Sequence, residues 1–190
     1  MILLCSLIIT IITHELGHLW AAKLCKCGVT RFSIGFGKPL FKFMWHKTSY
    51  EVAPILLGGF CSLKGEIEYS RSKYAFTNKT YSQKVFISLA GILVNVITAI
   101  IAYVLFLVTY NDVFYIFAFY SLAIGLSNGL PIPCLDGSFP IAFLFEKKLG
   151  KKRLYSILGS LFPKWFFWLM VLNILSLPYL GWLIYTGQIL

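Results

Sequence analysis

Long apolar stretches separated by polar, basic segments dominate this chain. Each stretch is long enough to form a membrane-spanning helix, which needs about 20 residues to cross a bilayer. The predicted spans cover about residues 1–22, 85–110, 113–145 and 165–185. The third span is broken near 128–136, where Pro131 and Pro133 interrupt the apolar run. The pattern predicts an α-helical integral membrane protein with about four transmembrane helices, folded as one membrane-embedded domain over residues 1–190.

The segment between the first and second spans predicts β structure. Two β-favouring runs, Leu40–His46 and Tyr50–Leu57, are separated by Lys47-Thr48-Ser49 and followed by Gly58-Gly59. Such runs joined by a short polar connection are typical of a β-hairpin. The hairpin is very apolar, so we interpret it as membrane-associated, dipping into the bilayer where protein or a water-filled cavity satisfies its backbone. A peripheral hairpin on the membrane surface is the alternative.

Composition and charge agree with a membrane protein. Charged residues make up 13% of the 190 residues and hydrophobic types 58%, whereas soluble domains carry about 25% charged residues. The net charge of +10 is concentrated in two loops, Lys23–Lys84 and Lys147–Lys164. Basic loops face the cytoplasm, which places the Asn111-Asp112 turn and both termini outside. No aromatic and basic groove motif accompanies the charge, which argues against nucleic-acid binding.

The most informative motif lies inside the first span, at His14-Glu15-Leu16-Gly17-His18. Residues four apart share one face of a helix, so the two imidazoles can bind one zinc ion, and Glu15 is close enough to take a proton from a metal-bound water. Ionisable groups within a span are costly unless they pair or bind a metal, so a function is expected. The alternative is a helix end that lies at the membrane interface.

Two histidines do not complete a catalytic zinc site, which usually has three protein ligands and a water. His46 belongs to the polar end of the hairpin, so Asp136, after the broken helix, is the better candidate. At about 1.5 Å per residue, His14 lies about 20 Å along the first helix. That leaves about 10 Å to the cytoplasmic face of a core about 30 Å thick. The third span runs in the same direction, so Asp136 comes late in its crossing and can meet the histidines.

Two asparagines and a cysteine near these residues have more than one interpretation. Asn95 lies about 15 Å from the same membrane face, where its amide could donate to a developing oxyanion. A helix–helix hydrogen bond explains this residue equally well. We expect Asn128 to cap or support the broken helix, and Cys134 to be a small apolar neighbour of Asp136.

These motifs together resemble the site-2 protease family of intramembrane zinc metalloproteases. The matching segments are His14-Glu15-Leu16-Gly17-His18, Phe36-Gly37-Lys38-Pro39-Leu40, Thr48-Ser49-Tyr50, Pro54-Ile55-Leu56-Leu57-Gly58-Gly59-Phe60, Ala90-Gly91-Ile92-Leu93-Val94-Asn95 and Asn128-Gly129-Leu130-Pro131-Ile132-Pro133-Cys134-Leu135-Asp136-Gly137. By this resemblance His14, His18 and Asp136 would bind one zinc ion. Glu15 would be the general base, and Asn95 would help to hold the scissile carbonyl. None of the family positions at which this chain departs from the usual residue is a ligand or the base.

The resemblance also implies a reaction and a class of partner. Members of this family hydrolyse a peptide bond in or near a transmembrane segment of a membrane protein. The hairpin would correspond to the family's membrane-associated β element, which is thought to receive the substrate as an added extended strand. A bacterial signalling protein, such as a membrane-held anti-sigma factor or a precursor sigma factor, or a leftover signal peptide is the implied substrate. The resemblance thus predicts a multi-pass protein of the bacterial cell membrane with its active site toward the cytoplasmic side. With no room for a peptide-binding PDZ insert or a nucleotide-sensing module, substrate selection would rest on the membrane core or on a regulatory membrane partner.

Two other classes of function remain to be weighed against a protease. A catalytically silent membrane scaffold of the same fold would have no need to retain Glu15, although the chain has it. A metal-ion transporter usually carries ligands along a path on several helices and often an internal repeat, and neither is seen in the sequence. Zinc flux in proteoliposomes, compared with substrate cleavage, would separate these classes.

Overall fold

The described part of the chain folds into three long helices, a small sheet and several short helical segments. The computed structural model describes residues 2–162 and 164–165. Its helices and strands are α1 (Ile2–Leu24), β1 (Val29–Phe36), β2 (Phe41–Trp45), β3 (Thr48–Val52), β4 (Ile55–Leu63), α2 (Tyr81–Thr109), α3 (Asp112–Asn128), α4 (Ser138–Leu144) and α5 (Glu146–Leu149). Residues 151–162 are also helical. The fourth predicted span, 165–185, lies outside the described residues except for residue 165.

The helices α1, α2 and α3 pack against one another. Both α1 and α2 are long and apolar enough to cross a membrane, whereas α3 is a shorter apolar helix of 17 residues. Their contacts use small and polar side chains, including Thr10 of α1 against Ser121 of α3, 3.4 Å apart. Helices in lipid associate through such close packing and interhelical hydrogen bonds. The helices therefore fit a membrane protein, and the number of spans stays a prediction.

Capping residues determine where α2 and α3 begin and end. The Thr80 side chain accepts a hydrogen bond from the Gln83 N–H, and the Gln83 side chain accepts one from the Thr80 N–H, which forms a capping box. Helix α2 ends at Thr109, and its C-cap residue Tyr110 has a left-handed φ of 54°. Asn111 then caps α3 by accepting from the Val113 N–H at 3.0 Å. These caps produce the tight turn between the two helices that the sequence predicts.

The segment between α1 and α2 forms a four-stranded sheet in the order β2-β3-β1-β4. The predicted hairpin is therefore only part of the structure: β2 and β3 pair antiparallel through a turn at His46 and Lys47, whose φ values are 43° and 65°. The predicted second strand divides at Ala53-Pro54, because proline has no N–H to continue the ladder, and its second half belongs to β4. Strand β1 pairs parallel with β3 and antiparallel with β4.

The two edges of the sheet have different surroundings. Strand β4 packs against α1. Strand β2, at the other edge, is exposed along its whole length although it consists mainly of apolar residues. This exposure fits the interpretation that the sheet is associated with the membrane, which stays a prediction.

A cluster of charged side chains connects strands β1, β2 and β3 of the sheet. The Glu51 carboxylate is buried and pairs with Arg31 of β1 and Lys42 of β2. Burial by itself raises the pKa of Glu51, but hydrogen bonds from Arg31, Ser49 and Lys42 outweigh that effect and lower the pKa below its usual value. The carboxylate therefore stays ionised and holds three strands together.

A buried ion pair joins the start of α2 to the chain after α4. The Lys84 side chain is 1% exposed and donates to the Glu146 carboxylate. Its ammonium also lies 5.1 Å from the centre of the Phe143 ring and 5.3 Å from that of Tyr155. Breaking a buried pair leaves an uncompensated charge, which costs about 3–5 kcal/mol. The pair therefore anchors the segment that follows Asp136 against α2.

Candidate metal centre

Helix α1 presents two imidazoles on one face. His14 and His18 are one helical turn apart and both are buried. Their Nε2 atoms lie 3.2 Å apart, and the ring centroids are separated by 4.9 Å. This arrangement follows from the spacing of four residues, which places side chains above one another on a helix.

A compact loop after α3 brings Asp136 to the same point. The Asp136 Oδ2 atom lies 2.9 Å from His14 Nε2 and 3.1 Å from His18 Nε2. The loop closes through a hydrogen bond from the Gly137 N–H to the Asn128 carbonyl at 2.8 Å. A Cβ at Gly137 would clash with the carbonyl group of Gly129, so only glycine permits this approach. The structure thus brings together residues that are about 120 positions apart in the chain.

Hydrogen bonds from α2 orient both imidazoles. His18 Nδ1 donates to the Ile87 carbonyl at 2.8 Å, which leaves the His18 Nε2 lone pair free for a metal. The side-chain amide of Asn95 lies against His14, with its Nδ2 atom 3.1 Å from His14 Nδ1. Asn95 is fully buried. It therefore contacts a candidate ligand directly.

The three side chains fit a zinc ion. Zinc–nitrogen and zinc–oxygen bonds of about 2.0–2.2 Å in a tetrahedron separate the ligand atoms by about 3.3–3.5 Å. The observed separations of 2.9, 3.1 and 3.2 Å are only slightly shorter. Within the described ranges, His14, His18 and Asp136 are the one group of three or more potential ligands that meets at a point. The donor set of two imidazoles and a carboxylate leaves a fourth position for water or substrate.

Gly91 of α2 lies next to the Nε2 atoms of His14 and His18. A Cβ at this position would come within 2.7 Å of His14 Nε2 and closer still to His18 Nε2. The absence of a side chain at Gly91 therefore allows α2 to pack against the face of α1 that carries both histidines.

We expect the substitution Gly91→Ala to weaken zinc binding about 10–100-fold, the range seen when the support of a ligand is disturbed. The added methyl group would occupy the space of the two Nε2 atoms. Competition between the purified protein and a chromogenic chelator measures the effect. Gly28→Ala is a matched control, because its added Cβ would meet Lys64 and the Tyr74 carbonyl only at ordinary contact distances, 3.4 and 3.6 Å. Equal zinc affinity in both variants would contradict this placement of Gly91.

Glu15 lies between the metal-ligand cluster and strand β4. Its side chain interacts with the backbone of Cys61, and a methyl group added to Gly59 would lie 3.1 Å from its Cγ. Both contacts come from β4, so the carboxylate stands beside an edge of the sheet. Glu15 is only partly buried, which leaves it within reach of water.

One acid outside the helices acts electrostatically on this centre. Burial raises the pKa of the Glu66 carboxyl to about 7, and the Leu63 N–H, which donates to it at 3.0 Å, opposes that rise. Its charge interacts with His18 and Asp136. Burial thus opposes the ionisation of Glu66 beside the centre.

Other residues considered from the sequence lie outside the ligand cluster. Asn128 donates from Nδ2 to the Ile124 carbonyl at 3.0 Å and accepts from the loop, as expected of a residue that supports the broken helix. Cys134 donates from its sulfur to the Phe162 carbonyl at 3.1 Å. His46 lies in the β2–β3 turn beside Trp45.

Sequence reasoning missed three contributors to the site. The Ile87 carbonyl carries no sequence signal, because any residue provides a carbonyl. Gly91 could have been noticed, since a glycine inside an apolar helix costs stability and indicates a close approach. Gly59 belongs to a glycine pair at the end of the predicted hairpin, and only the structure shows that it lies beside Glu15.

Comparisons with known proteins identify a protein family that matches this chain. The model of peptidase family M50 matches residues 2–113, which is more than half of the chain. A protein of Neisseria meningitidis named as a candidate zinc metalloprotease is 36% identical over 102 residues, covering 52% of this chain and 23% of the relative. The regulator of sigma-E protease RseP of Salmonella typhimurium is 41% identical over 100 residues, covering 50% and 22%. The protein of that name from Escherichia coli is 39% identical over 104 residues, covering 50% and 22%.

The match covers only a small part of each relative. In each of these three proteins the match covers less than a quarter of the length. It includes half of the present chain, and the family match contains α1, the sheet and α2. The resemblance to the site-2 protease family is confirmed by these matches. The chain therefore belongs to peptidase family M50.

Proposed function

We propose that this protein is an intramembrane zinc metalloprotease that hydrolyses a peptide bond in or near a transmembrane segment of a membrane protein. The proposal rests on one observation: His14 and His18 of the apolar helix α1 converge with Asp136. Glu15, also on α1, lies beside them. A metallopeptidase needs this combination of ligands and an adjacent base. The names of the relatives, which include zinc metalloprotease, support the same chemistry.

The candidate site residues would have separate roles in peptide hydrolysis. A zinc ion held by His14, His18 and Asp136 would lower the pKa of water from about 15.7 toward 7 and polarise the scissile carbonyl. Glu15 would take a proton from the attacking water and then deliver a proton to the leaving amine nitrogen. The buried positions of both imidazoles keep them free of competing water, which strengthens their interaction with a cation.

A substrate helix must unwind before its carbonyls can be attacked, because helical hydrogen bonds hide them. The outer edge of β4 offers replacement hydrogen bonds, since among the described residues no strand pairs with that edge. Glu15 lies against the same strand at Gly59 and Cys61. Strand addition at β4 would hold the substrate extended beside the base. Strand β2 is the other edge, but β3 and β1 separate it from β4.

We expect a photoreactive residue at position 57 of β4 to cross-link a bound substrate, and the same residue at position 44 of β2 to cross-link it at least about tenfold less. Leu57 and Met44 are both exposed, 51% and 64%, so accessibility does not favour the β4 position. Immunoblotting of the cross-linked adduct measures both yields in a cleavage-deficient protein. Equal yields, or a higher yield at position 44, would contradict substrate addition at β4.

The proposed orientation places the site toward the cytoplasm in a multi-pass protein of the bacterial cell membrane. Helix α1 ends with Lys23 in its last turn, and the segments after α1 and after α4 are basic. Positive residues favour the cytoplasmic side. In this orientation His18 lies about 9 Å from the cytoplasmic end of α1, at 1.5 Å per residue.

The substrate class follows from the relatives and from the membrane location. Relatives with the name regulator of sigma-E protease RseP suggest a membrane-held anti-sigma factor, a precursor sigma factor or a leftover signal peptide as substrate. The protein would contact lipid directly, and a regulatory membrane partner would select or release substrates. No nucleic acid is needed for any of these steps.

Reconstitution tests the proposal. The purified protein in liposomes is expected to cleave a membrane substrate with one bound zinc ion, to lose activity in a chelator and to regain it when zinc is restored. Partners cross-linked to a cleavage-deficient protein can be identified by mass spectrometry to supply that substrate. Zinc binding without cleavage of any trapped partner would favour a scaffold, and zinc flux across the liposomes would favour a transporter.

A further inference from the structure

We infer that Asn95 is a positioning residue for the zinc ligand His14: its side-chain amide holds the imidazole at Nδ1 and leaves Nε2 to the metal. This inference rests on the proposed zinc site. It assigns Asn95 to the ligand and not to the scissile carbonyl.

The first observation is the contact between the amide and the ring. Asn95 Nδ2 lies 3.1 Å from His14 Nδ1, and both side chains are buried. The other ring nitrogen, Nε2, is the one that faces Asp136 at 2.9 Å, so the amide contacts the imidazole on the side away from the candidate zinc position.

The second observation is the unpaired end of the same amide. Asn95 Oδ1 is buried and has no hydrogen-bond partner, and among the described residues only one other buried side-chain atom shares this condition. A buried oxygen without a partner costs about 1–3 kcal/mol. Natural structures carry few such atoms, and each calls for an explanation.

Zinc binding changes which end of the amide fits. A neutral imidazole that binds a metal through Nε2 carries its proton on Nδ1. His14 Nδ1 would then be a donor, and it would face the donor Nδ2 of Asn95. Rotating the amide by half a turn about Cβ–Cγ exchanges Nδ2 and Oδ1, so that Oδ1 accepts from Nδ1. In this orientation Oδ1, which has no other partner, accepts from a zinc ligand.

This account explains why an amide suits position 95. An amide oxygen can accept from the Nδ1 N–H of a zinc-bound imidazole and adds no charge, which matters in a fully buried position of an apolar helix. An oxyanion donor would instead need to face the substrate, and Asn95 is 0% exposed with Gly125 of α3 close to its Cβ.

The experiment uses the full chain in detergent with two variants of Asn95. We expect Asn95→Leu to weaken zinc binding about 10–100-fold, the usual effect of losing a partner of a metal-binding histidine. Any loss of cleavage in this variant should accompany its loss of zinc affinity. Asn95→Asp retains an acceptor and should restore zinc affinity to within about threefold. Competition with a chelator and the visible spectrum of the cobalt-substituted protein provide readouts independent of activity.

Ser121→Ala is the matched control, because it removes a buried interhelical hydrogen bond to Thr10 without touching a ligand. Its zinc affinity should not change. Unchanged zinc affinity in Asn95→Leu with a kcat that falls in both Asn95 variants would overturn the inference in favour of an oxyanion donor. Equal loss of zinc affinity in Asn95→Leu and Ser121→Ala would reduce Asn95 to a packing residue. Failure of the unsubstituted protein to bind zinc would instead refute the proposed function.

Discussion

Replacing Glu15 with glutamine is expected to lower the rate of peptide cleavage about 10²–10⁴-fold, the range that a positioned general base contributes. Glutamine has nearly the same shape as glutamate but cannot take a proton from water. The three ligand side chains are unchanged, so the variant should still bind one zinc ion. Cleavage of a co-expressed membrane substrate and the metal content of the purified protein measure the two effects separately.

The control for this variant is Glu68→Gln, which removes an exposed acid from the loop after β4. It should cleave substrate at the unsubstituted rate. If Glu15→Gln retains full cleavage, Glu15 is not the base. If the variant loses zinc together with activity, the carboxylate supports the metal centre instead, and the division of roles between base and ligands is wrong.

The substitution Asp136→Asn is expected to lower zinc affinity more than about 100-fold, beyond the 10–100-fold loss caused by removing the partner of a ligand. An amide is a weaker ligand than a carboxylate and does not neutralise the cation. Cleavage should fall below detection at ordinary zinc concentrations. Chelator competition measures the affinity, and added zinc should restore only part of the activity.

Asp112→Asn is the matched control, because Asp112 is the other acid between residues 85 and 145 and lies in the first turn of α3. An exposed charge at a helix N-terminus contributes only about 0.3–1 kcal/mol, so zinc affinity should stay the same. Equal zinc affinity in both variants would show that a different group is the third ligand.

The helices were largely predictable because their signals are local. The predicted spans 1–22 and 85–110 correspond to α1 and α2 with shifts of a few residues at their ends. Within the third predicted span, α3 ends at Asn128 and α4 begins at Ser138. Apolar runs, capping residues and prolines act within one or two helical turns, so they can be read without knowing the neighbours in space.

The sheet was predicted only in part, because most of its pairings are not local. The β2–β3 hairpin depends on a short turn and was expected. Strand β1 was missed because its partners lie far along the chain: Val29 pairs with Leu63, and Arg31 pairs in parallel with Ser49. No turn sequence specifies such pairings. They form because β1 can bury Phe32 in a hydrophobic core shared with α1, against which β4 also packs.

The sequence alone determined that an apolar helix carries two imidazoles and a carboxylate within one turn, because a spacing of four residues is a property of the helix itself. It also indicated Asp136 as a third ligand, although from depth along the spans rather than from contact. Only the tertiary structure decided which atoms meet: a loop closed at Gly137, a gap at Gly91 and an amide at Asn95 all depend on how α1, α2 and α3 pack. Packing is a collective result of side chains distant in the chain, and local pattern cannot specify it.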